Sequence, residues 1–383
     1  MIDQLDRKIV RWCCAAIVCA FSTCAIAADS TTLPAATTLR AAAGDRLLIG
    51  TAIMASHLRE PAHARLLAGQ FNAITGGNEF KPDALQKING KFTFERADEI
   101  VSFARENRMQ VIGHTLVWHN QSPKWLYEDA AGKPLARETA LENMRRHITT
   151  VVTHFKGKVK GWDVVNEAIS DGGNDYLRDT PARRAIGDDY VEKAFEFARN
   201  ADPDVELYYN DYNIELPGKR EKCVRLLREL KAKGLRVDAV GIQGHWQLKH
   251  PAAQVIEDAI RAFAAEGVKV HVTELDIDVL PRTRQGAEIT DTEKEGANPY
   301  VAGLPADIAG AQGDRYRSLF EVFVKFPGVV TRITFWGSHD GNTWLNDWPV
   351  RGRTNHPLLW DRQLQPKPAF DGVIDVLNKP SGG

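Results

Sequence analysis

Cysteine is nearly absent from this chain once its first two dozen residues are set aside. Cys13, Cys14, Cys19 and Cys24 lie near the N-terminus, and only Cys223 follows them. A body with one cysteine has no internal disulfide, so its core must supply the stability. Cys223 falls in "PGKREKCVRLLRELKAKG", an amphipathic helix pattern in which a small buried thiol is expected rather than a nucleophile. An excess of one charge is lacking too. Lys and Arg number 49 against 50 Asp and Glu, a net charge of −1. Without a basic excess, nucleic acid is not an expected partner, and nothing draws the chain to a membrane surface. There is no Gly-rich phosphate loop, no basic cluster for phosphate and no Gly-x-Ser-x-Gly nucleophile elbow. Low complexity is confined to an Ala/Thr-rich stretch over residues 31–43.

The N-terminus has its own character. Arg7, Lys8 and Arg11 precede the apolar "WCCAAIVCAFSTCAIA", which ends in Ala25-Ile26-Ala27, a small-x-small cleavage pattern. Residues 1–27 therefore read as a signal peptide, too short and Ala-rich for a membrane span. The expectation is export, to the periplasm or the medium, with no membrane attachment after processing. Residues 28–44 read as a short linker, and residues 45–379, which contain no break in composition, as one catalytic domain.

Within that domain, short apolar runs alternate with helical segments. The runs are "RLLIGTAI", "FNAITGGNEF", "QVIGHTLVWH", "VKGWDVVNEA", "VELYYNDYN", "VDAVGIQGHW", "VKVHVTELDI" and "VTRITFWGSHD". Between them, stretches such as "DDYVEKAFEFARNAD" repeat apolar residues at three- and four-residue spacing. Eight such units predict an α/β fold, a single (β/α)8 TIM barrel. In a parallel barrel the residues that carry chemistry sit at the C-terminal strand ends. The runs obey that rule. They end in Asn78 and Lys81; His114, Trp118 and His119; Asn166 and Glu167; Asn210 and Asp211; Gln243 and His245; Glu274 and Asp276; Trp336 and Asp340. One polar strand end is ordinary surface chemistry. Seven on one rim point to a site.

The rim offers two glutamates, amide and imidazole groups, and tryptophans. A glycosidic bond needs a proton for its leaving oxygen and a negative group facing the developing oxocarbenium ion. Indole faces stack on pyranose rings. The residue types therefore suit sugar chemistry.

At these residues the sequence resembles family 10 glycoside hydrolases, the (β/α)8 endo-β-1,4-xylanases. "WDVVNEA" and "VTELDI" resemble the acid/base and nucleophile motifs, and "GHTLVWH", "YYNDYN", "GIQGHW" and "FWGSHD…TWL" follow in family order. The resemblance covers residues 45 to 378. It implies Glu167 as general acid/base and Glu274 as nucleophile. Asn166 would bond the sugar 2-hydroxyl, and His245 with Asp276 would keep the nucleophile ionised and oriented. Lys81, Asn78, His114, Trp118 and Gln243 would contact the glycone. Trp336 and Trp344 would form an aromatic wall. The implied partners are xylan and xylo-oligosaccharides, with no metal or other cofactor and a monomeric enzyme. An ionised Glu274 should also raise the pKa of Glu167.

Two departures stand out. The family's Glu-Asn-x-x-Lys motif reads Gly77-Asn78-Glu79-Phe80-Lys81, so the first Glu is missing. Glu79 lies two positions on, on the same face if the strand continues. Residues 281–314 read as a long polar loop after the nucleophile strand, either bordering the groove or running over the surface. Three other readings remain: a metal-dependent barrel hydrolase, a catalytically dead sugar-binding barrel, and a cellulase or mixed-specificity β-1,4-glucanase on the same scaffold. The two His of "GHTLVWH" are five apart, on opposite faces of a strand, which counts against a metal pair.

Overall fold

A computed structural model describes residues 37–282 and 286–379 of the chain. The expected signal peptide and most of the expected linker lie outside the described residues.

Eight parallel strands close into a barrel. In chain order the strands are β1 (Leu48–Ile53), β2 (Ala73–Gly76), β3 (Gln110–Val117), β4 (Gly161–Asn166), β5 (Glu206–Asp211), β6 (Ala239–Ile242), β7 (His245–Gln247), β8 (Lys269–Asp278) and β9 (Val330–Phe335). Each pairs with its neighbour from β1 to β6, β6 pairs with β8, and β8 with β9. β9 then pairs back onto β1, which closes the ring. The short β7 also pairs with β8, so β6 and β7 are two halves of one barrel strand. The break falls at Gln243-Gly244, where Gly244 adopts φ 85°. It re-aims the chain so that Gln243 and His245 both face the rim.

A helix follows every barrel strand. Tyr190–Ala201 illustrates why: Tyr190, Val191, Ala194, Phe195 and Ala198 recur on one face and are all buried against the sheet. Full burial of a large apolar side chain contributes about 1.5–3 kcal/mol. The strands are buried along nearly their whole length, because helices cover their outer faces and side chains fill the barrel. Cys223 is free and fully buried, and burial pushes its thiol well above the ordinary range.

Two sequence boundaries are corrected. The 28–44 linker is helical over Leu39–Ala43, capped by the Thr38 hydroxyl and with Leu39, Ala42 and Ala43 buried. Arg40 ties this turn to the carbonyl of Ala68 at 2.6 Å. The domain therefore begins before Asp45, because three apolar side chains there join the core. The polar loop is also shorter than residues 281–314. A helix runs over Ala306–Phe323. "ADIAGAQGDR" reads as loop through its glycines, yet a Cβ on Gly313 would stand 2.9 Å from the Pro368 carbonyl. The glycine lets this helix press against Pro368–Leu377, the helix that closes the fold.

Candidate active site

One groove of about 540 Å³ opens at the C-terminal strand ends. Its walls include Asn78, Lys81, His114, Trp118, Asn166, Glu167, Gln243, His245, Glu274, Trp336 and Trp344. Asp276, the remaining residue singled out in the sequence, is fully buried behind His245. The residues named come from the ends of six of the eight barrel strands.

Glu167 follows β4 directly. Its backbone is in the left-handed region, φ 59°, which is costly for a residue with a side chain. Two bonds hold it there: its N–H donates to the Asn210 carbonyl at 2.9 Å, and its own carbonyl accepts from Arg178 Nε at 3.1 Å. The carboxylate, 3% exposed, accepts from Gln243 Nε2 at 2.8 Å and from Trp118 Nε1 at 2.7 Å. Burial pushes its pKa up, and the charge of Asp211 adds to this; His119 and the two hydrogen bonds act the other way. The upward direction agrees with the sequence expectation, but the leading cause is desolvation of the enclosed carboxyl rather than the charge of Glu274.

Glu274 sits inside β8. It is 4% exposed and accepts from Asn210 Nδ2 at 2.8 Å and from His245 Nε2 at 3.2 Å. His245 Nδ1 in turn donates to Asp276 Oδ2 at 3.0 Å, and Trp344 Nε1 donates to that same oxygen at 2.8 Å. Both ring nitrogens of His245 therefore face carboxylates, an arrangement that calls for the doubly protonated imidazolium. Burial lowers the His245 pKa, but Asp276 and Glu274 outweigh it and raise it to about 9. Burial likewise pushes Glu274 up. The His245 hydrogen bond, the charges of His114 and His245, and Asn210 more than reverse this, so its pKa lies below the ordinary value.

A chain of amides joins the two carboxylates. Gln243 Nε2 reaches both Glu167 and, at 3.3 Å, Asn166 Oδ1. Asn210 Nδ2 reaches both Glu274 and, at 2.9 Å, the same Asn166 oxygen. With that oxygen taken, Asn166 offers its NH₂ to a ligand. Thr273 Oγ1 fixes Asn210 from behind at 2.6 Å. A Cβ on Gly241 would stand 2.4 Å from Asn210 Oδ1, so only glycine leaves room for this support. Asn210 was named from the sequence as a strand-end residue, but its bond to Glu274 spans 64 positions and has no local signal.

Lys81 Nζ donates to Asn78 Oδ1 at 3.0 Å and Gln121 Oε1 at 2.6 Å, and lies 4.9 Å from the centre of the Trp118 ring. Burial lowers its pKa to about 8, against the charges of Glu274 and Glu167, which hold it up. Trp118 and Gln243, expected as sugar contacts, have their donors engaged on Glu167. His114 donates to Asp163 at 3.0 Å and stands edge-on to Trp336, 5.3 Å between ring centres. Trp344 stacks on Trp348 at 4.5 Å.

Glu79 does not join Gly77 in the groove lining. β2 ends at Gly76, so face alternation stops there. Glu79 turns inward, is buried, and accepts the Ala55 N–H at 2.7 Å. Gly77 itself lines the groove.

The segment after β8 contributes residues the sequence did not single out. Ala287 and Ile289 line the groove. Between them Glu288 accepts from His119 Nε2 and Asn120 Nδ2, each at 2.8 Å, and from Arg178 at 3.1 Å. His119, Glu167 and Glu288 offer ligand atoms all within 4.8 Å of one another. That donor set does not fit a metal well. The Arg178 guanidinium already neutralises Glu288, and both Glu167 oxygens already accept hydrogen bonds.

A parallel barrel with two buried carboxylates facing one groove, among indoles and amides, is the architecture of a glycoside hydrolase. The chain belongs to glycosyl hydrolase family 10, whose description matches residues 38–376. It is 42% identical over 345 residues to endo-1,4-beta-xylanase A of Xylanibacter ruminicola, covering 88% of this chain and 93% of that protein. It is 44% identical over 330 residues to a beta-1,4-xylanase of Dictyoglomus thermophilum, covering 86% and 88%. Among solved structures, a GH10 endoxylanase retrieved from a sugarcane soil metagenome superposes with a TM-score of 0.83 at 38% identity, covering 90% of this chain and all of that one.

Proposed function

We propose that this protein is a retaining endo-β-1,4-xylanase in which Glu167 is the acid/base and Glu274 the nucleophile. The observation that carries the reading is the opposite tuning of two buried carboxylates in one groove: burial pushes the pKa of Glu167 up, while Glu274, hydrogen-bonded to His245 and Asn210, is held below its ordinary value. Glu167 protonates the glycosidic oxygen while Glu274 attacks the anomeric carbon, giving a glycosyl ester and a free sugar end. Glu167, now ionised, takes a proton from water, which opens the ester and regenerates Glu274 with the β-configuration restored. Esterification removes a negative charge from the groove, which favours the ionised Glu167 in the second step. The His245–Asp276 pair orients Glu274. Asn166 offers its amide to the 2-hydroxyl. Asn78, Lys81 and His114 with Trp336 and Trp344 line the sugar path.

The substrates are xylan and xylo-oligosaccharides, in keeping with the relatives' names. Reducing-sugar release from xylan and from carboxymethylcellulose, with and without a chelator, tests this. Xylan should be cleaved, with no effect of chelator. Faster release from carboxymethylcellulose would make the protein a glucanase, and chelator sensitivity would make it a metal enzyme. Proton NMR should detect the β-anomer first; an initial α-anomer would reject Glu274 as nucleophile.

Residues 1–27 are read as a leader that exports the enzyme to the periplasm or medium, where it acts as a monomer. No helix among the described residues is long and apolar enough to cross a membrane. N-terminal sequencing of exported protein should start near Ala28; an intact Met1 would reject the leader.

A further inference from the structure

In the segment after β8, one side chain reaches across to two other loops of the rim. The Glu288 carboxylate is 12% exposed. Its Oε2 accepts from His119 Nε2 and Arg178, and its Oε1 from Asn120. Its backbone carbonyl accepts from Trp348 Nε1 at 3.2 Å. The side-chain partners lie on two segments more than fifty residues apart in sequence, one after β3 and one after β4.

Those two segments also hold Glu167, alongside Gln243 and Asn210. Trp118 precedes His119 and donates to the Glu167 carboxylate at 2.7 Å. Arg178 donates through Nε to the Glu167 carbonyl at 3.1 Å and through another guanidinium nitrogen to Glu288. One carboxylate therefore braces both the side chain and the strained backbone of Glu167. The brace is charged at working pH. Burial pushes Glu288 up, but the His119 and Asn120 hydrogen bonds bring its pKa down to about 2.

We propose that Glu288 is a positioning residue for proton transfer: by gripping His119, Asn120 and Arg178 together it aims the Glu167 carboxyl at the leaving oxygen. The proposal rests on Glu167 being the acid/base. It separates the two halves of the reaction's first step. Attack by Glu274 does not pass through Glu288, whereas protonation of the leaving group does. Loss of Glu288 should therefore matter in proportion to how much the leaving group needs a proton.

The test compares kcat/KM of Glu288→Ala, Glu288→Gln and Glu167→Ala in the full chain on two aryl β-xylobiosides, phenyl and 2,4-dinitrophenyl. Dinitrophenolate leaves without protonation; phenolate does not. Glu288→Ala should lose about tenfold or more on the phenyl substrate and less than about twofold on the dinitrophenyl substrate. Glu288→Gln, which keeps the shape and one acceptor oxygen, should fall between wild type and Glu288→Ala with the same split. It decides the matter if Glu288→Ala does not fold. Equal losses on both substrates would mean a merely structural role, and no loss on either would mean no role; both overturn the proposal. Glu167→Ala separates the two failures. If it shows the split and the Glu288 variants do not, only this proposal falls. If it shows no split itself, the assignment of Glu167 falls, and this proposal with it.

Discussion

Glu167 and Glu274 make a controlled comparison within one molecule. Both are glutamates at the rim of the same barrel, 3% and 4% exposed, and each accepts two side-chain hydrogen bonds. Their pKa values nevertheless move in opposite directions. The number of donors cannot be the reason. Their charge is. Glu167 accepts from an indole and an amide, both neutral. Glu274 accepts from an amide and from His245, a cation sustained by Asp276. Burial disfavours a carboxylate wherever it occurs; at Glu274 the His245 imidazolium, together with the charge of His114 and the Asn210 amide, reverses the outcome. The division of labour between acid and nucleophile therefore rests on the groups behind the groove as much as on the two glutamates.

The largest test of this comparison removes the nucleophile. Glu274→Ala should lose activity on every substrate by on the order of 10⁴-fold or more, since the covalent route is gone. Added azide should then yield an α-glycosyl azide. Glu167→Ala should lose about 10²–10⁴-fold on xylan, yet keep its first step on an activated aryl glycoside, and azide should yield the β-product. The reverse pattern of azide products would exchange the two roles.

The comparison can also be erased without touching either glutamate. His245→Asn removes the cation. Glu274 is held below its ordinary pKa by that cation, so its pKa should rise, and the acid limb of kcat/KM should move to higher pH. At neutral pH the loss should be about 10- to 100-fold, the worth of a hydrogen bond to a charged group. An unmoved acid limb would mean that Asn210 and His114 suffice. The same pair is visible in stability. A His whose folded pKa is raised from 6.5 to about 9 stabilises the fold fully below pH 6.5, and that contribution is lost as pH rises through about 9. The wild-type Tm should therefore fall between pH 7 and 9.5 more than that of His245→Asn.

The smallest test uses a third buried carboxylate that lies outside the groove lining. Glu79 satisfies the Ala55 N–H. Glu79→Ala should cost about 1–3 kcal/mol of stability and leave the ratio of xylobioside to xylan activity unchanged. Gly77→Glu should raise that ratio only slightly, because its Cβ would stand 3.3 Å from the Ile53 carbonyl. A large drop in xylobioside activity for Glu79→Ala would restore it as a sugar ligand.

The barrel and most of its rim were legible because their signal is local. An apolar run that ends in an amide or a carboxylate marks a strand end, and seven of them mark a rim. What escaped the sequence was set by distant partners. Nothing near Glu288 indicates that it meets His119, 169 positions away. The glycines of "AGAQG" suggest a loop until Pro368 is seen against them. Glu79 keeps the strand face only if β2 continues, and it stops at Gly76. Leu39 and Ala43 look like linker until the core that receives them is built.

The left-handed backbone of Glu167 has a consequence for anyone who evolves this enzyme. Such a conformation costs a residue with a side chain about 1–3 kcal/mol, and glycine nearly nothing. Glu167→Gly would relieve the backbone and remove a buried carboxyl in a single step. A library sorted for heat resistance alone would therefore favour a dead protein at this position. Sorting must keep turnover in the screen at every round, since here the fold and its chemistry are under opposing selection.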